Sequence, residues 1–156
     1  MRKLLLIILI SSSGICLIAQ PNLDFLYTVW LDGSQSDSIR TVAFRDYVKE
    51  GFLNSDPDSV LILADELIEF GKNRNYPIAQ ASAFRLKGEA SSEKRDYLQA
   101  LQYHKEELKI YEHLSDQDGI AKSLTRIGYL YGLQDDYPKA LDHYTRSVEI
   151  MEKLGD

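Results

Sequence analysis

The chain has 156 residues, of which 44% are apolar and 27% are charged, with 18 basic and 24 acidic side chains. These proportions exclude a wholly disordered chain and fit one domain or one short repeat array. The formal net charge of −6 argues against a nucleic-acid-binding protein, which normally presents a basic face.

The first twenty residues have the pattern of a secretory signal. Arg2 and Lys3 form a basic start, residues 4–10 are an unbroken apolar run, and Ala19 is a small residue suited to cleavage. The run is far shorter than the roughly 20 residues that a membrane-spanning helix needs. We therefore predict a signal peptide over residues 1–20 and an exported protein of the periplasm or cell envelope.

The only cysteine lies inside this segment. Cys16 follows Ile15, whereas bacterial lipidation signals have a small residue at that place, so we expect no lipid anchor. A chain that has lost residues 1–20 has no cysteine and depends on side-chain packing alone. Contact with a membrane is expected only through the signal segment or through a C-terminal region beyond this sequence.

Residues 21–36 form a short N-terminal segment with one predicted helix. Apolar side chains at helical spacing indicate it, namely Leu23, Leu26, Tyr27 and Trp30. The helix is expected to end near Asp32 and Gly33. Trp30, the single tryptophan, is predicted to cover the apolar side of the first repeat, and the alternative is stacking against a ligand.

From Asp37 onward the sequence predicts helices joined by short polar turns. The first has the apolar stripe Phe44, Tyr47, Val48 and Phe52. The next begins at Pro57 with Asp56 as its cap. The later helices are predicted to begin at residues 75–77, at Asp96, at Asp116, and at Asp135 or Asp136. No segment alternates with the period of two that a strand shows, so the predicted fold class is all-α.

Residues 81–120 and 121–156 are two copies of one pattern, with a period of 40. The matched pairs include Gly88 and Gly128, Tyr97 and Tyr137, Ala100 and Ala140, and Leu114 and Leu154. A period of this size is typical of a solenoid, whose units bury their apolar faces against their neighbours. Such a fold offers a binding surface rather than a catalytic pocket.

The second copy resembles the tetratricopeptide repeat (TPR). The residues that match its pattern are Leu124, Ile127, Gly128, Tyr131, Asp136, Tyr137, Ala140, Tyr144 and Ser147. The resemblance implies a solenoid of helical hairpins with about two and a half repeats: a degenerate unit over 37–80, then units over 81–120 and 121–156. A period of 40 rather than roughly 34 residues resembles the variant with a longer turn between units.

The TPR pattern also predicts the repeat core. Its members are Gly88, Tyr97, Ala100, Leu124, Gly128, Tyr131, Tyr137, Ala140 and Tyr144, with Gly128 and Ala140 where two helices cross. In the unit 81–120, Lys87, Ser91 and Glu107 stand where the pattern has apolar or small residues. The stem of Lys87 is expected to lie along the core while its charge reaches water.

A more specific resemblance concerns residues 27–40 (YTVWLDGSQSDSIR) and 51–60 (GFLNSDPDSV). They are similar to the N-terminal periplasmic TPR part of exported bacterial sensor proteins, in which a membrane helix and an adenylate or guanylate cyclase or histidine kinase domain follow. That resemblance implies, as an alternative function, the sensory part of a membrane-bound signalling enzyme. A structural part of an outer-membrane or secretion assembly is a third interpretation.

The sequence contains no motif that indicates catalysis, a metal site or a cofactor. His104, His113 and His143 lack metal-ligand spacing and are assigned packing or surface roles. The carboxylate pairs Glu106–Glu107 and Asp135–Asp136 are interpreted as a solvated helix face and a helix cap. No nucleophile elbow or phosphate-binding loop occurs.

In TPR folds the first helix of each unit lines a concave face, which implies a partner-binding groove. Its predicted residues are Arg45, Lys49, Ser82, Arg85, Glu89, Lys122, Arg126 and Tyr129. Five of these are basic, so the groove is predicted to bind an acidic peptide or a C-terminal carboxylate, with a merely solvated face as the alternative. Positions 45, 49, 122 and 126 coincide with the TPR carboxylate clamp, but Leu86 replaces its middle asparagine.

The last repeat leaves an apolar edge. Leu141, Val148 and Met151 have no following helix to cover them. We expect either that the natural protein continues beyond Asp156 or that the chain self-associates through this edge.

Overall fold

The computed structural model describes residues 22–155, and over that range it contains seven α-helices. They are α1 (Leu23–Leu31), α2 (Asp37–Phe52), α3 (Pro57–Asn73), α4 (Pro77–Glu93), α5 (Tyr97–Leu114), α6 (Gln117–Leu133) and α7 (Tyr137–Leu154). No strand occurs among these residues, so the predicted all-α fold is confirmed. The predicted signal peptide at residues 1–20, including Cys16, lies outside the described residues, as does Asp156.

Capping side chains explain where most helices begin. The side chains of Asn22, Ser36, Asp56, Asp96, Asp116 and Asp136 each accept a hydrogen bond from a backbone N–H of the first turn. The helix α4 has no such cap and begins with Pro77, whose fixed φ suits the first helical position. Of the two carboxylates considered for α7, Asp136 is the cap, and Asp135 lies in the turn with φ of 58°.

The helix starts recur at a constant interval. From Ser36 onward the N-cap positions fall every 20 residues, at Ser36, Asp56, Tyr76, Asp96, Asp116 and Asp136. The turn between the two good units contains only Ser115 and Asp116, and the N–H of Asp116 donates to the carbonyl of Tyr111 at 3.0 Å. The expected longer turn between units is therefore wrong. The extra residues lie in the helices, which have 16 to 18 residues from α2 onward.

Each helix packs against the next along the chain, and α2 also contacts α4. A Cβ added at Gly128 would lie 3.1 Å from the carbonyl oxygen of Ala140, so the close crossing expected at these two residues is confirmed. At the other end, the Trp30 ring is buried with its centroid 4.3 Å from that of Phe44 and 4.7 Å from that of Phe70. The predicted covering role of Trp30 is confirmed.

Of the nine residues of the predicted repeat core, seven are buried or partly buried and two are exposed. Gly88, Ala100, Leu124, Gly128 and Ala140 are buried, and Tyr97 and Tyr131 are partly buried. In contrast, Tyr137 and Tyr144 are exposed, because no helix of the described residues packs over that side of α7. The Lys87 side chain is buried along its stem, and its ammonium group lies 2.7 Å from the Asp65 carboxylate.

Candidate partner-binding face

The face formed by α2, α4 and α6, called the groove face below, contains two adjoining cavities. The wide cavity has a volume of about 490 Å³ and is lined by Lys49, Leu53, Glu89, Ser92, Glu93, His104, Thr125, Arg126, Tyr129, Leu130 and Tyr144. The narrow cavity, of about 170 Å³, is lined by Arg45, Arg85, Glu107, Tyr111, Asp116, Asp118, Gly119, Lys122 and Arg126. Arg126 lines both cavities and marks their junction.

The structure brings most of the predicted groove residues to these cavities. Lys49, Glu89 and Tyr129 line the wide cavity, and Arg45, Arg85 and Lys122 line the narrow one, with Arg126 shared. Ser82 is the exception, because its side chain is buried within α4. The prediction that Ser82 faces a ligand is wrong, since that side of the helix packs inside the solenoid.

The cations of the groove face have acidic neighbours. Arg45 forms an ion pair with Asp46 at 2.7 Å, and Lys122 forms one with Asp118 at 2.6 Å. Ion pairs at a protein surface typically contribute only about 0–1 kcal/mol. An incoming anionic group can therefore replace Asp46 or Asp118 at small cost.

Glu107 is a charged residue whose environment the sequence analysis predicted wrongly. Its side chain is 1% exposed, and it accepts a hydrogen bond from Arg126 at 3.3 Å and lies 2.9 Å from His104 Nδ1. The prediction of a solvated carboxylate at this position is wrong, because α6 packs over this side of α5. A signal was present in the sequence: Glu107 occupies the position of Ser147 in the next unit, where a small residue is expected.

His104 lies against the helix crossing of its own unit. It is buried, and a Cβ added at Gly88 would meet its Nε2 at 2.5 Å. The period places Tyr144 at the same position of the next unit, against Gly128. Of the other histidines, His113 is exposed and His143 Nδ1 lies 2.8 Å from the Lys139 carbonyl. The packing or surface roles predicted for the histidines fit these positions.

Burial shifts the pKa values of two groups beside the narrow cavity. Burial lowers the pKa of the Arg85 guanidinium, and the charge of Glu89 opposes that shift. Burial, assisted by the charge of Glu107, raises the pKa of the Tyr111 hydroxyl. The raised pKa keeps the Tyr111 phenol neutral at neutral pH.

Several residues of the wide cavity were absent from the sequence prediction. Leu53, Ser92, Glu93, His104, Thr125, Leu130 and Tyr144 all line it. Only Thr125 and Leu130 belong to α6, so most of these residues come from helix ends or from the second helix of a unit. A prediction that considers outward positions of first helices cannot find them.

Within residues 22–155, no group of three or more histidine, cysteine, aspartate or glutamate side chains is arranged to hold a metal ion. None of the helices described there is both long and apolar enough to cross a membrane.

Comparison with known proteins agrees with the helix geometry. A family model described as "Tetratricopeptide repeat" matches residues 79–153, which span α4 to α7. No match was found among curated proteins. TPR domains generally bind protein partners and are typically non-catalytic. The seven helices of residues 22–155 and their pairwise packing have the fold of an all-α helical solenoid of the tetratricopeptide repeat type, with which the family match over residues 79–153 agrees.

Proposed function

We propose that this protein is an exported interaction module that binds an acidic segment of a partner protein on its groove face. The observation that supports the acidic preference is the narrow cavity, where four cationic side chains, Arg45, Arg85, Lys122 and Arg126, converge. Carboxylates form strong, charge-assisted hydrogen bonds with such groups. In the adjoining wide cavity, the exposed rings of Tyr129 and Tyr144 are available to neighbouring apolar side chains of the partner.

The balance of charge in the narrow cavity favours an anion. Three carboxylates also line it, but they are not equally available to the cations. Glu107 is buried, and the Asp116 carboxylate accepts a hydrogen bond from the Gly119 N–H at 3.0 Å as a helix cap. Asp118 is exposed on the surface. Glu107 is a fixed partner of Arg126. Arg45 and Lys122 are paired with Asp46 and Asp118, and an incoming anion can displace these two partners.

The test is a charge reversal at two exposed lysines of this face. Binding of an N-acetylated hexaglutamate amide is measured by fluorescence anisotropy, with hexalysine as the charge control. We expect Lys49→Glu with Lys122→Glu to weaken hexaglutamate binding at least about tenfold at low salt. Arg126 is left unchanged, because a carboxylate there would face the buried Glu107.

The matched control is Lys105→Glu with Lys153→Glu, which changes the net charge equally at exposed positions of α5 and α7. We expect this control to lose little affinity. Equal losses in the two double variants would mean that hexaglutamate responds to net charge alone and would rule out a specific acidic site on the groove face.

Export is supported by the basic start, the apolar run and Ala19 in the first twenty residues. The test is to express the whole chain in a bacterial host, separate the periplasmic fraction, and determine the N-terminus by mass spectrometry. A protein found with the cytoplasm and still bearing Met1 would contradict export.

A sensory role is supported by the similarity of residues 27–40 and 51–60 to exported bacterial TPR sensor proteins. In that case the protein would be the sensory part of a membrane-bound cyclase or histidine kinase. The reading frame beyond codon 156 decides between this role and a separate interaction module: a spanning helix followed by a catalytic domain would establish the former.

Self-association is supported by the exposed edge of α7. Leu141 is 68% exposed, whereas Leu101, its counterpart one unit earlier, is 6% exposed beneath α6. Sedimentation equilibrium of the wild type and of Leu141→Lys with Val148→Lys tests this proposal. A wild type that stays monomeric at every concentration would exclude it.

A further inference from the structure

The junction where α6 packs on α5 contains three ionisable side chains at positions that are apolar one unit earlier. The three are His104, Glu107 and Arg126. Their counterparts 40 residues earlier, where α4 packs on α3, are Ala64, Leu67 and Leu86. These counterparts are fully buried and belong to one core cluster. Apolar side chains alone can therefore fill a junction of this kind.

Stability does not explain why this junction is ionisable. The side chains of Glu107 and His104 are only 1% and 4% exposed. Removal of charged groups from water costs free energy that their mutual attraction often only offsets, and apolar residues in place of a buried ion pair are often neutral or stabilising. The three ionisable residues therefore indicate a role other than stability.

Glu107 is the shared partner of the other two residues. Its Oε2 lies 2.9 Å from His104 Nδ1, and its Oε1 accepts a hydrogen bond of 3.3 Å from Arg126. An ionised carboxylate only accepts hydrogen bonds, so Nδ1 of His104 carries a proton and donates it to this bond. In a neutral imidazole the other ring nitrogen, Nε2, is then unprotonated. A second proton can bind there.

His104 and Arg126 reach the cavities of the groove face where they stand. His104 lines the wide cavity, and Arg126 lines both cavities. The Arg126 side chain is 26% exposed. A proton can therefore approach His104 from the wide cavity, and an anion in either cavity can contact Arg126.

Charged groups face the surroundings of His104 from four helices. They are Glu107 of α5, Arg126 of α6, Arg85, Glu89 and Glu93 of α4, and Lys49 of α2. The tyrosines of the same surroundings are Tyr111, Tyr129 and Tyr144. An anionic ligand adds a negative charge on the cavity side of this group, and a second proton on His104 adds a positive one. Opposite charges attract, so each favours the other.

We propose that His104 makes the groove face sensitive to pH: when His104 takes up a second proton, Glu107 becomes the counter-ion of the imidazolium, and Arg126 is released to an anionic ligand. This inference rests on the proposed function and adds its regulation. Coupling between two sites is reciprocal, so a bound anion must also favour the protonated form of His104. The groove face then binds anions more tightly in acid surroundings than at neutral pH.

The experiment measures anion binding against pH with a probe of constant charge. The probe is N-acetylated hexacysteate amide, whose sulfonate groups stay ionised. Isothermal titration calorimetry follows its binding between about pH 5.5 and pH 7.5, within the range where histidine side chains ordinarily titrate. We expect the wild type to bind it about five- to tenfold more tightly at the acid end of this range. His104→Gln can still donate to Glu107 but cannot take up the proton, so its affinity should not change with pH.

The matched controls are His113→Gln and His143→Gln. Each removes one imidazole from a second helix of a unit, α5 or α7, at a position that lines neither cavity. We expect both controls to keep the pH dependence of the wild type. A pH dependence that survives His104→Gln, or that disappears in either control, would overturn the proposal.

A second measurement needs no variant and therefore covers the case in which His104→Gln does not fold. The ring resonances of His104 in the wild type are followed by NMR against pH, first without the probe and then with saturating hexacysteate. We expect the midpoint of the His104 titration to move to higher pH when the probe is bound, because binding and protonation favour each other. The same midpoint with and without the probe overturns the proposal.

The outcomes separate this inference from the proposed function. If hexacysteate binds the wild type equally at both ends of the pH range, the acidic preference stands and the pH sensitivity is wrong. If hexacysteate binds at no pH, the proposed acidic preference is wrong, and the guanidinium resonances of Arg126 in the free protein then decide. A change in these resonances that follows the titration of His104 supports the exchange of partners at Glu107, and unchanged resonances overturn it.

Discussion

The unit of α4 and α5 and the unit of α6 and α7 follow one sequence pattern in two different surroundings. In the first unit, Leu101, His104 and Glu107 are all buried. Leu101 packs with Ile127 and Leu130 of α6, and Glu107 accepts a hydrogen bond from Arg126 of α6. In the second, no described helix follows α7, and the counterparts Leu141 and Tyr144 are exposed. Ser147, the counterpart of Glu107, is nevertheless buried and donates a hydrogen bond to the carbonyl of Ala121 in α6. The following helix therefore decides burial at the position of Leu101 and Leu141, whereas the first helix of the same unit keeps Ser147 buried.

The largest difference between the two units in the effect of a substitution on the free energy of unfolding is expected at the position of Glu107 and Ser147. Replacement of Glu107 by alanine leaves Arg126 and His104 without their shared acceptor, and the loss of one partner of a buried ion pair costs about 3–5 kcal/mol. We expect a value near the lower end, because Arg126 is partly exposed. Ser147→Ala should cost only about 1 kcal/mol. Urea denaturation of both variants measures the difference, and similar losses would contradict the comparison.

The equivalent leucines Leu101 and Leu141 should also differ in how much their replacement lowers the free energy of unfolding. Leu101→Ala removes a buried side chain and should lower the free energy of unfolding by about 3 kcal/mol. Leu141→Ala acts at an exposed position and should change it by less than about 0.5 kcal/mol. The measurement is made at low protein concentration, where self-association contributes little. A large loss for Leu141→Ala there would show that α7 is covered within one chain.

Alanine substitutions at the equivalent glycines Gly88 and Gly128 should differ in whether a second substitution restores stability. A Cβ at position 88 would lie 2.5 Å from the His104 ring, whereas at position 128 it would lie 3.1 Å from both the Ala140 carbonyl oxygen and the Tyr144 ring. We expect Gly88→Ala to cost about 2 kcal/mol and Gly128→Ala about 1 kcal/mol, within the usual range for overpacking. Adding His104→Ala should recover part of the loss for Gly88→Ala and none for Gly128→Ala. Thermal unfolding of the single and double variants tests this coupling.

The smallest effect is expected from pH at the start of α7. The hydrogen bond from Lys139 holds the pKa of the Asp136 carboxyl below its usual value of 3.8. A lowered folded-state pKa stabilises the fold above the unfolded-state pKa, and this contribution is lost as the pH falls through the folded-state pKa. An asparagine at position 136 can still cap the helix through its side-chain oxygen, but it carries no charge. Asp136→Asn should therefore show a shallower loss of stability below about pH 4 than the wild type.

The control for this prediction is Asp96→Asn in the preceding unit, where Gln99 stands in place of Lys139. Urea denaturation at a series of acidic pH values compares the two variants. An identical pH dependence for Asp136→Asn and the wild type would contradict the role given to Lys139.

Local rules predicted the helices well. The caps Asp56, Asp96 and Asp116 and the first-turn Pro57 depend on residues within one turn of the helix start, so one sequence suffices to find them. The crossing at Gly128 and Ala140 followed from the resemblance to the TPR pattern. The prediction of a longer turn between units was wrong. A repeat period gives the combined length of the helices and turns, and it does not show how many residues belong to each.

The candidate site was predicted less completely, because its geometry depends on contacts between distant residues. The resemblance to the TPR pattern supplied eight groove residues, of which seven line the two cavities. Glu107, in contrast, was predicted to lie in solvent. Its burial depends on α6 lying above α5 and on Arg126 arriving there to balance the charge. The 3.5 Å contact between Arg85 Nε and Glu89 Oε1 depends on side-chain positions, which a sequence pattern does not contain.

The constant spacing of the helix starts has a consequence for how this architecture can change in length. One helix with its turn occupies 20 residues from Ser36 onward, so duplication or loss of a single helix leaves every downstream cap in frame. It would nevertheless exchange the roles of groove-lining and outer helices from that point on. Growth of the array is therefore subject to a parity rule, and only an even number of inserted helices keeps the binding surface continuous.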